Sequence, residues 1–594
     1  MFRSLLLAAV ISLAACSDRQ DSPPAADGKA LKVYRHSLDG APTNLDPVQA
    51  ATVYSSFVVL NTYDTLYSYK YLARPYELKP NLAAAMPEIS EDGLTYTIRI
   101  KPGVRFIDDP AFTDGQGREL VAADFVYSLK RHFDPKNRSQ GSWLWAGRIK
   151  GMAEWAEAGA DYAKPVAGLT AVDPHTIRIT LNAPYPQLTY TLAMSFSAIV
   201  PREAVDKYGR ELSIRPVGSG PFRMDRFDTA KAVLSANPHF RQEPLDLAAE
   251  GYDPAQHDGL GLKALEGRAP PFIDRLEIDF ISETAARWNS FNKGNEIQYT
   301  NVPVEHTGSV LDSKEPLRLK DEWAEKYHWT AGVEPGFIYT GFNLAQPQIG
   351  YNEDPRREKR NHALRCAIRK AFDWPARNDR FYSGIGVVFP GAIVPVTPEF
   401  DPERSQASIT RDLAAAKKLL ADNGWTDETL PTLRYGFTNS VTQRQIFEQF
   451  RGFMVDLGYP SAKIKAETYA TFGDFNKALK THQLDVLGLG WVLDYPDAEN
   501  TLQLFYGPNG SPGSNNFNYA NPAFDALYEQ AATMQPGEAR TALYRQMNQM
   551  IIDDCVTTGG LSRNRIYLWH KDVIGLPDRA ILGGFWLRYV DVKS

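Results

Sequence analysis

The stretch Gly490-Trp491-Val492-Leu493-Asp494-Tyr495-Pro496-Asp497 sets an indole and two carboxylates close together on either side of a proline. The run before it, Leu484-Asp485-Val486-Leu487-Gly488-Leu489, is short, branched-aliphatic and closed by a turn signal, which predicts a buried strand. Pro496 cannot continue a ladder, and Leu502 and Phe505 stand at helical spacing, so a helix is expected over 498–506. An aromatic and a carboxylate at the end of a strand, just before a helix, mark a common place for a ligand site in α/β domains. A second reading stays open: Asp494 caps the helix, Asp497 adds favourable charge to its first turn, and Trp491 is ordinary core.

Enzyme chemistry has little to stand on. There is no Gly-x-Ser-x-Gly elbow and no His-Glu-x-x-His helix, and the 10 histidines are scattered without metal-ligand spacing. Carboxylates are plentiful, but no pair stands out as an acid/base couple. Arg215-Pro216-Val217-Gly218-Ser219-Gly220-Pro221-Phe222 is rich in glycine and proline yet lacks the lysine and spacing of a phosphate-binding loop. No catalytic residue, metal or cofactor is expected.

At 594 residues the chain exceeds what one hydrophobic core normally holds, so two or three domains are expected. Hydrophobic content of 43% and charged content of 23% are ordinary for a globular protein. A net charge of −6, with no Lys/Arg-rich block, argues against nucleic acid as a partner. The start of the chain reads as a targeting segment: Arg3, then the apolar run Leu5 to Leu13, too short to span a bilayer, then Leu13-Ala14-Ala15-Cys16. That ending resembles the lipobox of bacterial lipoproteins, which implies a signal peptide over 1–15 and lipid on Cys16. A polar tether rich in Pro, Asp and Ser follows to residue 30. Cys366 and Cys555 remain; an oxidising compartment permits a bond between them, but two buried free thiols are the expectation.

Periodicity then places the elements. Leu31 to His36, Leu94 to Ile100, Ile177 to Leu181, Leu276 to Ile281 and Ile566 to Trp569 read as strands. Helices are expected over Val53 to Leu66, Val121 to Phe133, Leu364 to Phe372, Leu413 to Leu420 before Gly424, Phe447 to Leu457 before Gly458, and Leu543 to Ile551. The order is mixed α/β.

Several of these segments, in order, resemble the solute-binding lipoproteins of bacterial ABC importers, in the family of the oligopeptide- and dipeptide-binding proteins. The resemblance rests on Asn44-Leu45-Asp46-Pro47, Pro80-Asn81-Leu82-Ala83, Asp92-Gly93-Leu94-Thr95-Tyr96-Thr97, Pro102-Gly103-Val104-Arg105-Phe106, Ala122 to Arg131, Val217 to Phe222 with Asn237-Pro238, and Arg365 to Asp373. The family's Phe-x-Asp-Gly is stretched here over Phe106 to Gly115, and Pro244 to Arg268 is long; both are expected as surface excursions.

The resemblance implies a two-lobed periplasmic-binding-protein fold of three domains joined by a two-segment hinge. Domain I is expected over 31–65 with 193–280 and 561–594, domain II over 66–192, and domain III over 281–560. In peptide-binding members an Asp shortly after a Trp at a strand end takes the ligand's α-ammonium, and Trp491 and Asp494 fit that pattern. The ligand backbone there runs as an added strand, which assigns main-chain contacts to Gly490 and Val492 on one side and to Ala51, Thr52, Val53 and Tyr54 on the other. Trp143 is assigned as an aromatic contributed by domain II. Some relatives carry an Arg three residues before the Trp, facing a ligand carboxylate; here that position is Gly488.

The expected function is therefore the capture of a peptide or peptide-like solute in an interlobe cleft and its delivery to the transmembrane subunits of an ABC permease. The protein is expected as a monomer, lipid-anchored on the periplasmic side of the envelope. The alternative on the same fold is a binder of a nickel chelate, haem, an opine or a sugar; a cleft enzyme or a sensor is a different class.

Overall fold

The computed structural model describes residues 30–294, 296–402, 409–576 and 584–593. Cys16, the signal segment 1–15 and the tether up to residue 29 lie outside them. No helix of the described residues is long and apolar enough to cross a membrane.

Three large hydrophobic cores organise the chain. The first lies under a four-stranded sheet in the order Val33–Leu38, Arg275–Phe280, Lys231–Ala236, Phe222–Phe227, its first pair parallel and the others antiparallel. The alternating residues Leu234, Leu276 and Ile278 point into that core, where Trp569 and Trp586 from the chain's end join them. The second core packs the antiparallel sheet Glu88–Ile89, Thr95–Arg99, Thr176–Thr180, Leu169–Asp173 against the helix Ala122–Arg131. Tyr96, Ile98, Ile177 and Ile179 supply the sheet's buried face, and Phe125 and Leu129 the helix stripe.

The third and largest core surrounds a six-stranded mixed sheet, ordered Val387–Phe389, Thr557–Ser562, Gly336–Phe342, Val486–Val492, Leu433–Thr438, Ile464–Tyr469. Helices Pro355–Ala371 and Val441–Leu457 cover it with Leu364, Ile368, Phe447 and Phe450, the apolar positions whose spacing predicts them. Gly458 ends the second of these helices at φ 99°, a left-handed conformation that glycine adopts without a Cβ penalty.

Two antiparallel segments connect this sheet to the rest. Tyr327–Val333 and Asn564–His570 pair in a separate three-stranded sheet with Tyr299–Asn301. Across the Glu334-Pro335 turn the first continues as Gly336–Phe342, and across Arg563 the second is preceded by Thr557–Ser562, both in the six-stranded sheet. The Glu334 N–H donates to the Arg563 carbonyl at 2.7 Å. The Glu334 carboxylate pairs with Arg563 at 2.8 Å and Arg565 at 2.5 Å. Residues 281–333, expected with the third domain, thus share a sheet and a small core with Ile566 and Leu568, and join the large sheet only at Gly336.

Three further expectations change. The strand expected to end at Leu489 runs on to Val492, because Gly490, Trp491 and Val492 pair with Ile338, Phe337 and Gly336. Cys366 and Cys555 are not free thiols: they form a disulfide across 189 residues, with Cα atoms 5.2 Å apart. Helix Pro355–Ala371 packs against the strand that begins just after Cys555, so two residues distant in sequence meet. A link of this kind stabilises by about 2–5 kcal/mol, chiefly through the unfolded chain. Finally, the two excursions are partly internal: Phe106, Ile107 and Phe112 bury in the second core, and Leu245, Leu247, Leu262 and Leu265 in the first.

Candidate functional site

The site is built on the strand Val486–Val492. On one side it pairs with Gly336–Phe342 throughout. On the other, pairing with Leu433–Thr438 stops at Tyr435↔Val486 and Gly436↔Leu487. Among the described residues the Gly488–Val492 edge has no strand beside it, so its main-chain groups on that side are open to an added strand. Gly488 is required by close approach: a Cβ there would overlap the Tyr435 hydroxyl.

Two adjoining cavities flank this edge. One, of about 500 Å³, is walled by His36, Phe57, Tyr299 and Trp586 from the first core's side and by Gly490, Trp491 and Val492 from the large sheet, with Glu334, Arg563 and Arg565 between. His36 is stacked between Phe57 and Tyr299, centroids 5.0 and 5.1 Å away, and burial pulls it down to about 3, so it is neutral. The other cavity, of about 620 Å³, shares Gly490 and continues past Leu489 and Gly488 to Tyr435, Arg377 and Phe472.

Asn500 ties the strand end to the turn that follows. Its side-chain carbonyl accepts from the Trp491 indole N–H at 2.8 Å and from the Asp494 backbone N–H at 3.1 Å. Its amide donates to Asp494 Oδ2 at 3.1 Å. One side chain thereby fixes the indole and the carboxylate relative to each other. No basic residue pairs with Asp494 among the described residues. Desolvation pushes its carboxyl up to about 6; the nearby Glu499 adds to the shift and the Asn500 bond opposes it.

Asp494 does not cap the helix Glu499–Leu502, whose N-cap position is Ala498; Asp497, just before it, accepts from the Glu499 N–H through Oδ1 at 3.0 Å. Asp497 also pairs with the buried Arg540 at 2.8 Å. Tyr495 and Tyr528 both donate to the Glu499 carboxylate. Tyr190, packed at the edge of the second core, stacks on Tyr495 with centroids 5.8 Å apart. The turn carrying Asp494 is thus where the second core's segment meets the large sheet.

The structure brings Gly490, Trp491, Val492, Val53 and Tyr54 together in the wall of the first cavity. Asp494 lies behind Trp491, linked to it through Asn500, and is outside the wall of either cavity. Ala51 and Thr52 are not in these walls, and Ala51–Tyr54 is not an extended segment. Thr52 Oγ1 accepts from the Ser55 N–H at 3.1 Å and caps helix Val53–Thr62, so these residues offer a helix start in place of a strand. Trp143 is 50% exposed in the turn Ser142–Leu144 and lines neither cavity. Sequence reasoning missed Asn500, Arg377 and the Glu334–Arg563–Arg565 cluster, whose partners are distant in the chain or separated by a turn. Among the described residues the one group close enough to share a metal ion is His362 with Cys366 and Cys555, and both cysteines are in the disulfide.

A carboxylate raised in the folded state binds its proton more tightly there than in the unfolded chain. Stability is therefore lost as pH rises from about 4, the unfolded value, to about 6, and the deficit persists at neutral pH. Asp494→Asn removes it. In denaturant titrations of ligand-free protein, the variant is expected to exceed wild type by up to about 3 kcal/mol at pH 7, each pKa unit being worth about 1.4, and to match it near pH 4. An equal or lower stability at pH 7 contradicts an uncompensated carboxylate.

Residues 77–513 match the family described as bacterial extracellular solute-binding proteins, family 5, middle region. Heme-binding protein A of Haemophilus influenzae is 26% identical over 570 residues, covering 92% of this chain and 91% of that protein. The glutathione-binding protein GsiB of Escherichia coli O6:K15:H31 is 31% identical over 521 residues, covering 86% and 85%. Among solved structures, HbpA2 from Haemophilus parasuis has a TM-score of 0.72 at 21% identity, covering 95% of this chain and all of that one. DppA from Helicobacter pylori, in complex with the peptide STSA, has a TM-score of 0.68 at 20% identity, covering 95% and 98%. The open strand edge, the cavities beside it and the match over 77–513 lead to one conclusion: the chain belongs to the bacterial extracellular solute-binding proteins of family 5.

Proposed function

We propose that this solute-binding protein captures a short peptide or peptide-like solute, holds it extended along Gly488–Val492, fixes its α-ammonium on Asp494 beside Trp491, and delivers it to the permease of an ABC importer. The observation that carries this reading is Asp494 itself: a carboxylate with no cation of its own among the described residues, oriented by Asn500 at the open end of an unpaired strand edge. An ammonium supplies the missing charge, and charge-assisted bonds are strong where water is excluded. Two of the names above agree with such a ligand, a glutathione-binding protein and a solved neighbour that holds a peptide, while heme-binding protein A matches the haem alternative.

The three-domain division belongs to the same proposal, with one boundary moved. The two chain crossings at Glu334-Pro335 and Arg563 support placing the hinge there, so that residues 281–335 ride with the first lobe and not with domain III. Lobe closure about these two segments buries the solute and presents a closed face to the permease. The protein acts as a monomer, held on the periplasmic side of the envelope by lipid on Cys16. Cys16→Ser is expected to move it from the membrane to the soluble fraction on cell fractionation; unchanged membrane association removes the anchor.

Titration calorimetry with tripeptides tests the ligand reading. Asp494→Asn is expected to weaken binding more than about a hundredfold, because breaking a buried charge pair costs about 3–5 kcal/mol and each 1.4 kcal/mol is tenfold. N-acetylation of the tripeptide costs wild type a similar amount and costs the variant little more. Unchanged affinity in Asp494→Asn makes the aspartate structural and removes the peptide assignment's main support.

A further inference from the structure

We propose that Arg377 receives a carboxylate of the bound solute, which makes the second cavity selective for ligands with an acidic end. This rests on the peptide reading above and names the group at the opposite end from Asp494.

Arg377 lies on helix Trp374–Phe381 and is 3% exposed, yet it lines the cavity that runs past Gly488 and Leu489. It is held firmly. Its Nε donates to Gln449 Oε1 at 2.6 Å and its Nη2 to the Ile446 carbonyl at 3.2 Å, and the guanidinium sits 5.1 Å from the Phe372 ring centre and 5.7 Å from that of Phe381. Both acceptors are neutral. No carboxylate pairs with it among the described residues, and burial pulls its affinity for the proton down. A guanidinium does not shed that proton at physiological pH, so an anion is what relieves a buried one. Its planar fork suits the two oxygens of a carboxylate.

The other arginines of the wall are differently placed. Arg563 and Arg565 share Glu334, and Arg287 donates to the Ile281 and Ser282 carbonyls, with Asp39 across Tyr54. At Gly488 no side chain fits, because Tyr435 fills the space; Tyr435 and Arg377 both line the cavity beside it. Arg377 therefore offers from a helix the positive charge that the strand itself cannot carry. The edge Gly488–Val492 rises about 13 Å, which spans an extended ligand of about four residues, with Arg377 toward one end and Asp494 beyond the other.

The test uses the whole protein and three tetrapeptide libraries: free, N-acetylated and C-amidated, in competition, read by high-resolution mass spectrometry of the ligands released from the purified complex. Wild type is expected to favour free acids over C-amides at least tenfold. Arg377→Gln should bring the two within about threefold of each other while still rejecting N-acetylated peptides, and Arg377→Lys should keep part of the preference. Melting curves confirm that each variant is folded, and the wild-type comparison of acid with amide needs no variant at all. If wild type takes amides as readily as acids yet rejects N-acetylated peptides, Arg377 is structural and the Asp494 reading survives. A preference for acids that persists in Arg377→Gln also overturns the assignment. A wild type that takes up none of the three libraries overturns the peptide reading, and Arg377's role with it.

Discussion

A carboxylate withdrawn from water without a cation destabilises the fold until a cation arrives, and Asp494 is in that position. The surrounding residues hold the charge in place without neutralising it. Asn500 gives it one hydrogen bond and spends its carbonyl on the Trp491 indole and the Asp494 main chain, so the carboxylate cannot turn away from the strand end. Three residues on, it is Asp497 that has an arginine partner, Arg540. Glu499, buried and raised in the same direction, makes the surroundings more negative still. In the proposed mode of binding, a ligand ammonium relieves that unfavourable term.

The rest of the architecture joins two lobes next to that group. Two adjacent segments pass from the three-stranded to the six-stranded sheet, and Glu334 bonds across them through its main chain and both arginines. Crossings of this kind let two lobes swing while each core stays packed, because a few residues at the ends of strands absorb the change in dihedral angles. The cleft walls fit such motion: Val53, Val492 and Phe472 are 61, 53 and 64% exposed, and closure on a ligand would cover them.

Where the sequence was legible, local physics dominates. The helices Pro355–Ala371, Val441–Leu457 and Glu538–Asp553 bury residues at the expected spacing, and alternation marks Thr95–Arg99 and Thr176–Thr180. What was not legible depends on partners far away in the chain. The strand runs through Gly490 to Val492 because Gly336–Phe342 lies beside it, against the local turn signal. Cys366 and Cys555 meet because a helix packs on a strand. Leu245 and Leu262 sit in a stretch that reads as an excursion but reach the first core. The candidate site divides along the same line: Trp491 and Asp494 stand out by type and spacing, whereas Asn500 and Arg377 acquire meaning only once their neighbours are known. Ala51–Tyr54 shows the converse, since a resemblance suggested a strand where Thr52 supplies a helix cap.

In the proposed mode of binding, Asp494 is partly protonated in the empty protein and loses that proton when an ammonium pairs with it. The most direct measurement is proton release on binding a tripeptide at pH 6, obtained by titration calorimetry in two buffers of different ionisation enthalpy. With its carboxyl near 6, Asp494 holds about half a proton in the free protein, and pairing with an ammonium expels it. The expected result is a release of about half a proton per ligand in wild type that is absent in Asp494→Asn. Equal proton release in the two proteins, with ligand bound to both, would contradict the claim.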